Sequence, residues 1–212
     1  MIKLVVFDVD GTLIDTEVGS FKDIGIMLGK EKEIRAHHEE YQRRKHLGPW
    51  GLEELALIFK GTKESEIKKL VKKIIESQLM PGAEETISEL KKRGYAIVSY
   101  SSSPMWIMQE LRKKFGFADI IGNIVEVKNG IITGKLLQKV DRYAKAERLK
   151  QFMEKNKIKR DNVYIVGNSV SDLPMAEYGH FIAINADSEQ VREKAEHVVE
   201  SKNLREILKY VK

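Results

Sequence analysis

The residues of this chain best suited to chemistry are two carboxylates, Asp8 and Asp10, which follow the apolar run at residues 3–7. In extended backbone, side chains two residues apart lie on the same face. Carboxylates held this close repel each other unless a cation lies between them. Mg²⁺ commonly takes one or two carboxylates together with water and substrate phosphate. The pair therefore predicts a Mg²⁺ site, followed by a turn at Gly11 in which Thr12 offers a hydroxyl and an amide donor to a substrate.

Polar residues also follow other apolar segments of strand length. Ser99 follows residues 95–98, Asn168 comes shortly after residues 163–166, and Asp172 lies one helical turn beyond Asn168. In an open α/β sheet, ligands bind beyond the carboxyl ends of the strands. We therefore expect these polar residues to converge with the aspartate pair on one edge of a sheet.

The elements that position these residues follow from the apolar pattern. Residues 3–7 predict a strand buried on both faces, whereas apolar residues at helical spacing run through residues 16–79. From residue 80 onward, predicted strands and helices alternate, and Asn129-Gly130 indicates a hairpin. The predicted fold is α/β, with a doubly wound, mostly parallel sheet. Residues 1–15 and 80–212 form its core domain, and residues 16–79 form a helical cap inserted after the first strand.

Composition excludes several other classes of protein. The 212 residues contain no cysteine, which rules out disulfides and cysteine-ligated metals. No apolar run reaches the roughly 18 residues that span a bilayer, so we predict a cytoplasmic protein without membrane association. The net charge of +5 comes from 37 basic and 32 acidic residues of interspersed sign, which argues against nucleic-acid binding. Abundant lysine and glutamate hint at a heat-adapted host.

One short motif connects these residues to a known family. Residues 8–13, Asp-Val-Asp-Gly-Thr-Leu, resemble the first motif of the haloacid dehalogenase (HAD) superfamily of phosphohydrolases. Residues 81–86, 90–95, 124–134 and 203–210 resemble its phosphoserine phosphatase-like branch. The resemblance covers essentially the whole chain and implies a Rossmann-like core with a mobile cap.

The resemblance also implies a mechanism. Asp8 would be the nucleophile that takes up the phosphoryl group, and Asp10 would be the general acid and base. Asp8 and the backbone carbonyl of Asp10 would hold Mg²⁺. Ser99 would be the second-motif hydroxyl, which binds a phosphoryl oxygen. Lys145 would be the third-motif lysine, which neutralises charge on Asp8 and the phosphoryl oxygens; Lys135 and Lys139 are nearby alternatives.

The fourth motif departs from the family pattern. The branch normally has Gly-Asp with a second aspartate four residues later, whereas this chain has Asn168 and Asp172. We predict both as metal ligands. Because an amide oxygen carries no charge, Asn168 is expected to weaken Mg²⁺ binding unless Asp172 approaches the ion.

Substrate-binding residues differ from the branch as well. Tyr100 and Ser101 stand near the place where phosphoserine phosphatases have a glycine pair, and Tyr100 would either crowd the pocket or lend it a hydroxyl. Glu17 stands where the branch places a carboxylate for the substrate amino group. The cap arginine expected for the substrate carboxylate has no clear match, since residues 55–59 are apolar. Gly11, Thr12, Glu17, Tyr100 and Ser101 are therefore the predicted substrate contacts.

The leading interpretation is a Mg²⁺-dependent phosphatase acting on a small phosphorylated metabolite. The alternatives are a phosphoserine phosphatase specifically, phosphotransfer to an acceptor other than water, or a degenerate homologue that binds phosphate-bearing ligands without turnover. The protein is expected to be a monomer or a homodimer.

Overall fold

One seven-stranded sheet organises the computed structural model, which describes residues 2–16 and 18–212. Its strands are β1 (Lys3–Phe7), β2 (Tyr95–Pro104), β3 (Asp119–Lys128), β4 (Ile131–Gln138), β5 (Val163–Gly167), β6 (His180–Ile184) and β7 (His197–Val199). They lie in the order β4-β3-β2-β1-β5-β6-β7, and every neighbouring pair is parallel except β3 with β4. The order reverses at β1, so the predicted doubly wound fold is confirmed.

Eight helices accompany the sheet in the described part of the chain. Four of them lie between β1 and the rest of the sheet and form what we call the helical insert: α1 (Ser20–Met27), α2 (Glu31–Arg44), α3 (Leu52–Ile58) and α4 (Glu64–Ser77). The others are α5 (Ala83–Lys92), α6 (Met105–Phe115), α7 (Arg142–Asn156) and α8 (Glu189–Lys194). Three 3-10 helices cover Arg160–Asn162, Leu173–Tyr178 and Leu204–Lys209. None of the described helices is long and apolar enough to cross a membrane.

Strand β1 is buried on both faces, as its apolar run predicts. Because successive side chains point to opposite faces, Val5 and Phe7 enter one apolar cluster, with the insert, α5 and α6. Leu4 and Val6 enter the other, with α7 and the Leu173–Tyr178 helix. Helices thus cover both faces of the sheet. The residues that follow β1 are therefore accessible only at the carboxyl edge of the sheet, which we call the rim.

The helical insert packs against the core through an amphipathic helix. Ile67, Val71 and Ile74 of α4 recur at helical spacing and are buried, with lysines between them. The indole N–H of Trp106 on α6 donates to Glu64 Oε1 at the start of α4, at 3.0 Å. These contacts place the insert above the carboxyl edge of the sheet.

The structure differs from the sequence prediction at the second strand. The apolar pattern predicts a strand over residues 95–98 with Ser99 as its polar end, but β2 continues to Pro104. The hydroxyls of Ser101 and Ser103 bond to each other at 2.9 Å, so these serines remain buried within the strand. A serine-rich segment thus continues the sheet where its composition indicates a loop, and its buried hydroxyls are hydrogen-bonded.

Candidate active site

The site begins where β1 ends at the centre of the sheet. Asp8 follows Phe7 directly, is 4% exposed, and its backbone N–H donates to Val166 O of β5 at 2.9 Å. Because the strand order reverses at β1, a crevice opens beside its end. Here a cavity of about 280 Å³ lies between the sheet edge and the helical insert, and Asp8 and Asp10 line it.

A buried lysine faces the first carboxylate. Lys145, in the first turn of α7, is fully buried, and its Nζ lies 3.0 Å from Asp8 Oδ1 and 2.7 Å from Asp172 Oδ1. Asp172 Oδ2 accepts the backbone N–H groups of Asn168 and Ser169, both at 3.1 Å. The sequence prediction for Lys145 therefore agrees with its position, whereas its alternative Lys139 pairs with Glu53 on the surface.

The electrostatics of this cluster are governed by burial. Burial, together with the nearby charge of Asp172, raises the pKa of Asp8 from 3.8 to about 7, although Lys145 opposes the shift. For Lys145, burial lowers the pKa, but the carboxylates of Asp172 and Asp8 outweigh it and raise the pKa above its ordinary value. The lysine thus remains an ammonium. Lys145 offsets only part of the unfavourable effect that burial and Asp172 have on the negative charge of Asp8.

The second carboxylate is held by the insert and by β2. Asp10 Oδ1 accepts the backbone N–H of Ser20 at the start of α1, at 2.9 Å, and Oδ2 accepts the Ser103 hydroxyl at 3.0 Å. Gly11 follows with φ 75°, and a Cβ there would lie 2.1 Å from Asn168 Nδ2. Glycine is needed at this turn because it allows both the backbone angle and the approach of Asn168.

One buried oxygen at the rim, Asn168 Oδ1, lacks a hydrogen-bond donor among the described residues. The neighbouring Asp8 Oδ1 is ion-paired with the ammonium of Lys145 at 3.0 Å. Unpaired buried acceptors are rare in folded proteins, and carboxylate and amide oxygens are ligands that Mg²⁺ accepts. The donor set therefore fits Mg²⁺. In the described chain no three His, Cys, Asp or Glu side chains group as a metal site, so any ion held here would need a neutral oxygen such as that of Asn168 in addition to the carboxylates.

Ser99 does not reach this site, contrary to the sequence prediction. In the register of β1 and β2 it lies beside Phe7, one residue before Asp8, and its Oγ donates to Phe7 O at 3.1 Å. Ser101 lies two residues further along β2, about 6.6 Å nearer the rim, and lines the cavity with Ser102. The β2 serine nearest in the chain to Ser99 that lines the cavity is therefore Ser101, and the Ser103 hydroxyl beyond it contacts Asp10.

Tyr100 and Thr12 are also placed away from the cavity. Tyr100 is fully buried, and its hydroxyl donates to Asp119 Oδ2 at 2.8 Å, an arrangement that raises the pKa of the phenol. Thr12 is fully buried beneath the turn, where its N–H donates to Val9 O at 3.1 Å. Neither residue is positioned to contact a substrate. Both predictions are wrong because the alternation of the strand and the tightness of the turn bury these side chains.

Two further predicted residues need separate mention. Both oxygens of Asp172 are already engaged, one by Lys145 and the other by backbone amides. The prediction that Asp172 ligates the metal directly is therefore corrected: its contacts position Lys145 and the Asn168 loop. Glu17 lies outside the described residues. Gly11, Ser101 and Asn168 all line the cavity, and their contacts with substrate or metal stay predictions.

The insert contributes cavity residues that the sequence did not single out as a site. Lys22 of α1, and His37, His38 and Tyr41 of α2, line the cavity together with Trp50. Adjacent histidines on a charged helix indicate a solvated face, yet His37 is 8% exposed and stacks on Trp50, with ring centroids 5.2 Å apart. In the sequence, the position of Lys22 between the apolar Phe21 and Ile24 of a predicted helix was the signal that its side chain could be buried.

This arrangement can perform one kind of chemistry with few additions. A carboxylate that attacks a phosphoryl group needs a cation beside it and a second acid within reach of the leaving oxygen. Asp8, Lys145 and Asp10 supply these groups at one edge of the sheet. The fold and the site together define a phosphomonoesterase.

The chain belongs to the haloacid dehalogenase-like hydrolase family, whose family model matches residues 5–177. A phosphoserine phosphatase from Methanocaldococcus jannaschii is 29% identical over 211 residues, covering 99% of this chain and 98% of the relative. A phosphoserine phosphatase from Campylobacter jejuni subsp. doylei is 32% identical over 219 residues and is covered completely. A solved structure of a phospho-aspartyl intermediate analogue of phosphoserine phosphatase is 30% identical, with a TM-score of 0.87 over 100% of this chain and 99% of that one. The resemblance read from the first motif is confirmed.

Proposed function

We propose that this protein is a Mg²⁺-dependent phosphatase that hydrolyses a small phosphorylated metabolite through an aspartyl phosphate on Asp8. The observation that carries the proposal is the Asp8 carboxylate itself, buried at the rim and 3.0 Å from the ammonium of Lys145. The similarity to a structure of a phospho-aspartyl intermediate analogue supports it. The cavity of about 280 Å³ suits a metabolite and not a macromolecule.

In the first step, an Asp8 carboxylate oxygen attacks phosphorus and the bond from phosphorus to the ester oxygen breaks. Asp10, held by the N–H of Ser20 and the hydroxyl of Ser103, gives its proton to the departing oxygen. The alcohol leaves, and the phosphoryl group remains on Asp8. Lys145 offsets the negative charge that accumulates on the phosphoryl oxygens.

In the second step, Asp10 takes a proton from a water molecule, whose oxygen attacks the phosphorus. The bond between phosphorus and Asp8 breaks, which releases inorganic phosphate, restores the Asp8 carboxylate and leaves Asp10 protonated for the next cycle. When bound, Mg²⁺ would be held by Asp8, the Asp10 carbonyl and Asn168 Oδ1, and would neutralise phosphoryl charge. Ser101 lines the cavity wall, where its hydroxyl would turn away from Ser103 Oγ to donate to a phosphoryl oxygen.

The identity of the ester is proposed at two levels. A small phosphate monoester is the broader class, and phosphoserine is a specific candidate because the two curated relatives described above are phosphoserine phosphatases. Cytoplasmic location and a monomeric or homodimeric state remain predictions.

Release of phosphate tests the proposal. With Mg²⁺, we expect the purified protein to hydrolyse 4-nitrophenyl phosphate and several metabolite phosphates, and we expect EDTA to abolish this activity because the phosphoryl charge then lacks its counter-ion. The measurement is inorganic phosphate released over time, with and without each metal. Folded protein that releases no phosphate with any divalent metal would instead support a homologue that binds phosphate-bearing ligands without turnover.

Substitution of Asn168 by aspartate is expected to tighten Mg²⁺ binding by about tenfold, because a charged oxygen replaces the neutral, unpaired Oδ1 at the rim. Isothermal titration with Mg²⁺ alone measures the change. Asn129→Asp is the matched control: it adds the same charge in the exposed turn between β3 and β4, which accepts Asp-Gly as readily as Asn-Gly. Equal Mg²⁺ affinity in the two variants would remove Asn168 from the ligand set.

A further inference from the structure

The end of the cavity formed by the insert carries a buried positive charge. Lys22 is 8% exposed, and its Nζ lies 3.0 Å from His38 Nδ1 and 4.3 Å from the centre of the Tyr41 ring. In the part of the chain that the structure describes, no carboxylate lies within ion-pair distance of this ammonium. A lysine in such a position is suited to receive an anionic group from a ligand in the cavity.

The surroundings of Lys22 make an anionic ligand favourable. Burial lowers the pKa of Lys22 from 10.5 to about 8, against the opposing influence of Asp10 and Asp23. The neighbouring imidazole of His38 stays neutral at physiological pH, because burial and Lys22 both lower its pKa. At neutral pH the ammonium is therefore charged but incompletely compensated. A carboxylate on the substrate would supply the missing negative charge.

His37 adds a hydrogen-bond acceptor beside this charge. Its Nε2 lies 2.7 Å from the carbonyl of Gly51, and a carbonyl can only accept, so Nε2 carries the proton. Burial lowers the pKa of His37, so the ring is neutral and Nδ1 presents a lone pair. This Nδ1 is buried without a partner among the described residues, in a side chain that is 8% exposed and lines the cavity. An orphaned acceptor of this kind fits a ligand hydroxyl or amine.

We propose that Lys22 and His37 determine the specificity of the enzyme for esters whose leaving group carries both a carboxylate and a hydrogen-bond donor. Lys22 binds the carboxylate, and Nδ1 of His37 accepts from a hydroxyl or amino group. This inference rests on the proposed phosphatase function and names its substrate class: monophosphates of short hydroxy acids or amino acids. Lys22 would thus be the cation of the insert that binds a substrate carboxylate, which the apolar residues 55–59 cannot do.

The alternative is that Lys22 only packs. Its stem then covers Tyr41, and its charge merely attracts Asp10 from a distance. The two interpretations differ in what they predict for substrate preference. A packing lysine affects all esters alike, whereas a specificity lysine affects only those with a carboxylate.

A panel of four esters separates these interpretations. 3-Phosphoglycerate has a carboxylate and a hydroxyl, phosphoglycolate has a carboxylate alone, glycerol 1-phosphate has hydroxyls alone, and 4-nitrophenyl phosphate has neither. O-phosphoserine is added as the amino analogue of the first. We expect the kcat/KM of the unchanged enzyme to be highest for 3-phosphoglycerate or O-phosphoserine and lower for the esters without a carboxylate.

Two variants then test the residues. Lys22→Met keeps the length of the side chain, and we expect the ratio of kcat/KM for 3-phosphoglycerate over glycerol 1-phosphate to fall about 10- to 100-fold, as for loss of one charged hydrogen bond. Lys22→Arg should retain part of this ratio. His37→Gln keeps a donor for Gly51 O but loses the Nδ1 acceptor. For it we expect the ratio of 3-phosphoglycerate over phosphoglycolate to fall about 3- to 10-fold.

Ratios within one variant cancel differences in the folded fraction, and Lys32→Met, on the exposed side of α2, controls for loss of a positive charge from the insert. Equal losses on all esters in Lys22→Met would overturn the inference, as would an unchanged enzyme without preference for carboxylates. If the unchanged enzyme hydrolyses none of the esters, 4-nitrophenyl phosphate included, the proposed function itself fails.

Discussion

Replacement of Asp8 by asparagine is expected to lower phosphate release by about 10³-fold or more, because the amide oxygen is a poor nucleophile and the neighbouring Asp10 is needed as the acid and base. The change is nearly isosteric, and the new amide can still lie beside Lys145, so the cavity should keep its shape. The measurement is kcat for 4-nitrophenyl phosphate with saturating Mg²⁺. Asp15→Asn, at an exposed aspartate just beyond the motif, is the matched control and should retain normal turnover.

Measurements of folding stability show whether Asp8→Asn loses turnover because the nucleophile is missing or because the protein is misfolded. The pKa of Asp8 is raised to about 7 in the folded protein, against 3.8 ordinarily. The folded state therefore binds this proton more tightly than the unfolded state, and stability declines as the pH rises from about 4 to about 7. In metal-free protein, Asp8→Asn should flatten this decline and raise the melting temperature at pH 8 more than at pH 5. A variant that melts lower at pH 8, or that retains turnover, would contradict the assigned role of Asp8.

Much of the site is predictable because short-range geometry fixes it. The spacing of Asp8 and Asp10 after a buried strand places both at the carboxyl edge of the sheet, whatever the rest of the chain does. Lys145 is predicted only from its resemblance to the third motif of the family, and the structure places it at the same edge because Asp141 caps the start of α7 through Tyr143 N and Ala144 N. Local pattern and topology suffice for the two aspartates but not for the lysine.

Ser99 shows where that reasoning fails. Its assignment depends on where β2 ends, and composition places the end at the first polar residue. The strand continues past it, and the buried hydroxyls are satisfied because Ser101 bonds to Ser103 and Ser103 donates to Asp10. The register with β1 then leaves Ser99 beside Phe7, and Ser101 reaches the rim. Strand ends set by pairing of polar side chains are not visible in hydropathy.

The insert was less predictable than the core because tertiary packing decides which face of each helix lines the cavity. Helix α2 is rich in charged residues and buries only Ile34 and His37. Which face of such a helix meets the cavity depends on its packing against α1 and α3, and no periodicity in the sequence of α2 reports this. Lys22 and His37 consequently become site residues only when the helices are assembled.

Replacement of Lys145 by methionine is expected both to abolish turnover and to destabilise the protein. Asp8 and Asp172 are buried beside Nζ, at 3.0 and 2.7 Å, and would lose their shared cation. Removal of one partner from a buried ion pair costs about 3–5 kcal/mol. Because protonation relieves a buried carboxylate, the loss of stability should be largest above pH 7 and should shrink toward pH 5. Denaturant unfolding at the two pH values measures it, together with kcat.

Two further variants test whether these effects are specific to Lys145 and whether they come from its ion pair with Asp172. Lys139→Met removes a half-exposed ion pair with Glu53, which is worth at most about 1 kcal/mol, and should leave kcat nearly unchanged. In Lys145→Met combined with Asp172→Asn, one of the two stranded carboxylates becomes neutral, so much of the lost stability should return. Turnover should not return, because the phosphoryl group on Asp8 still lacks its ammonium. Recovery of both stability and turnover would mean that Lys145 serves only to neutralise Asp172 and takes no part in phosphoryl transfer.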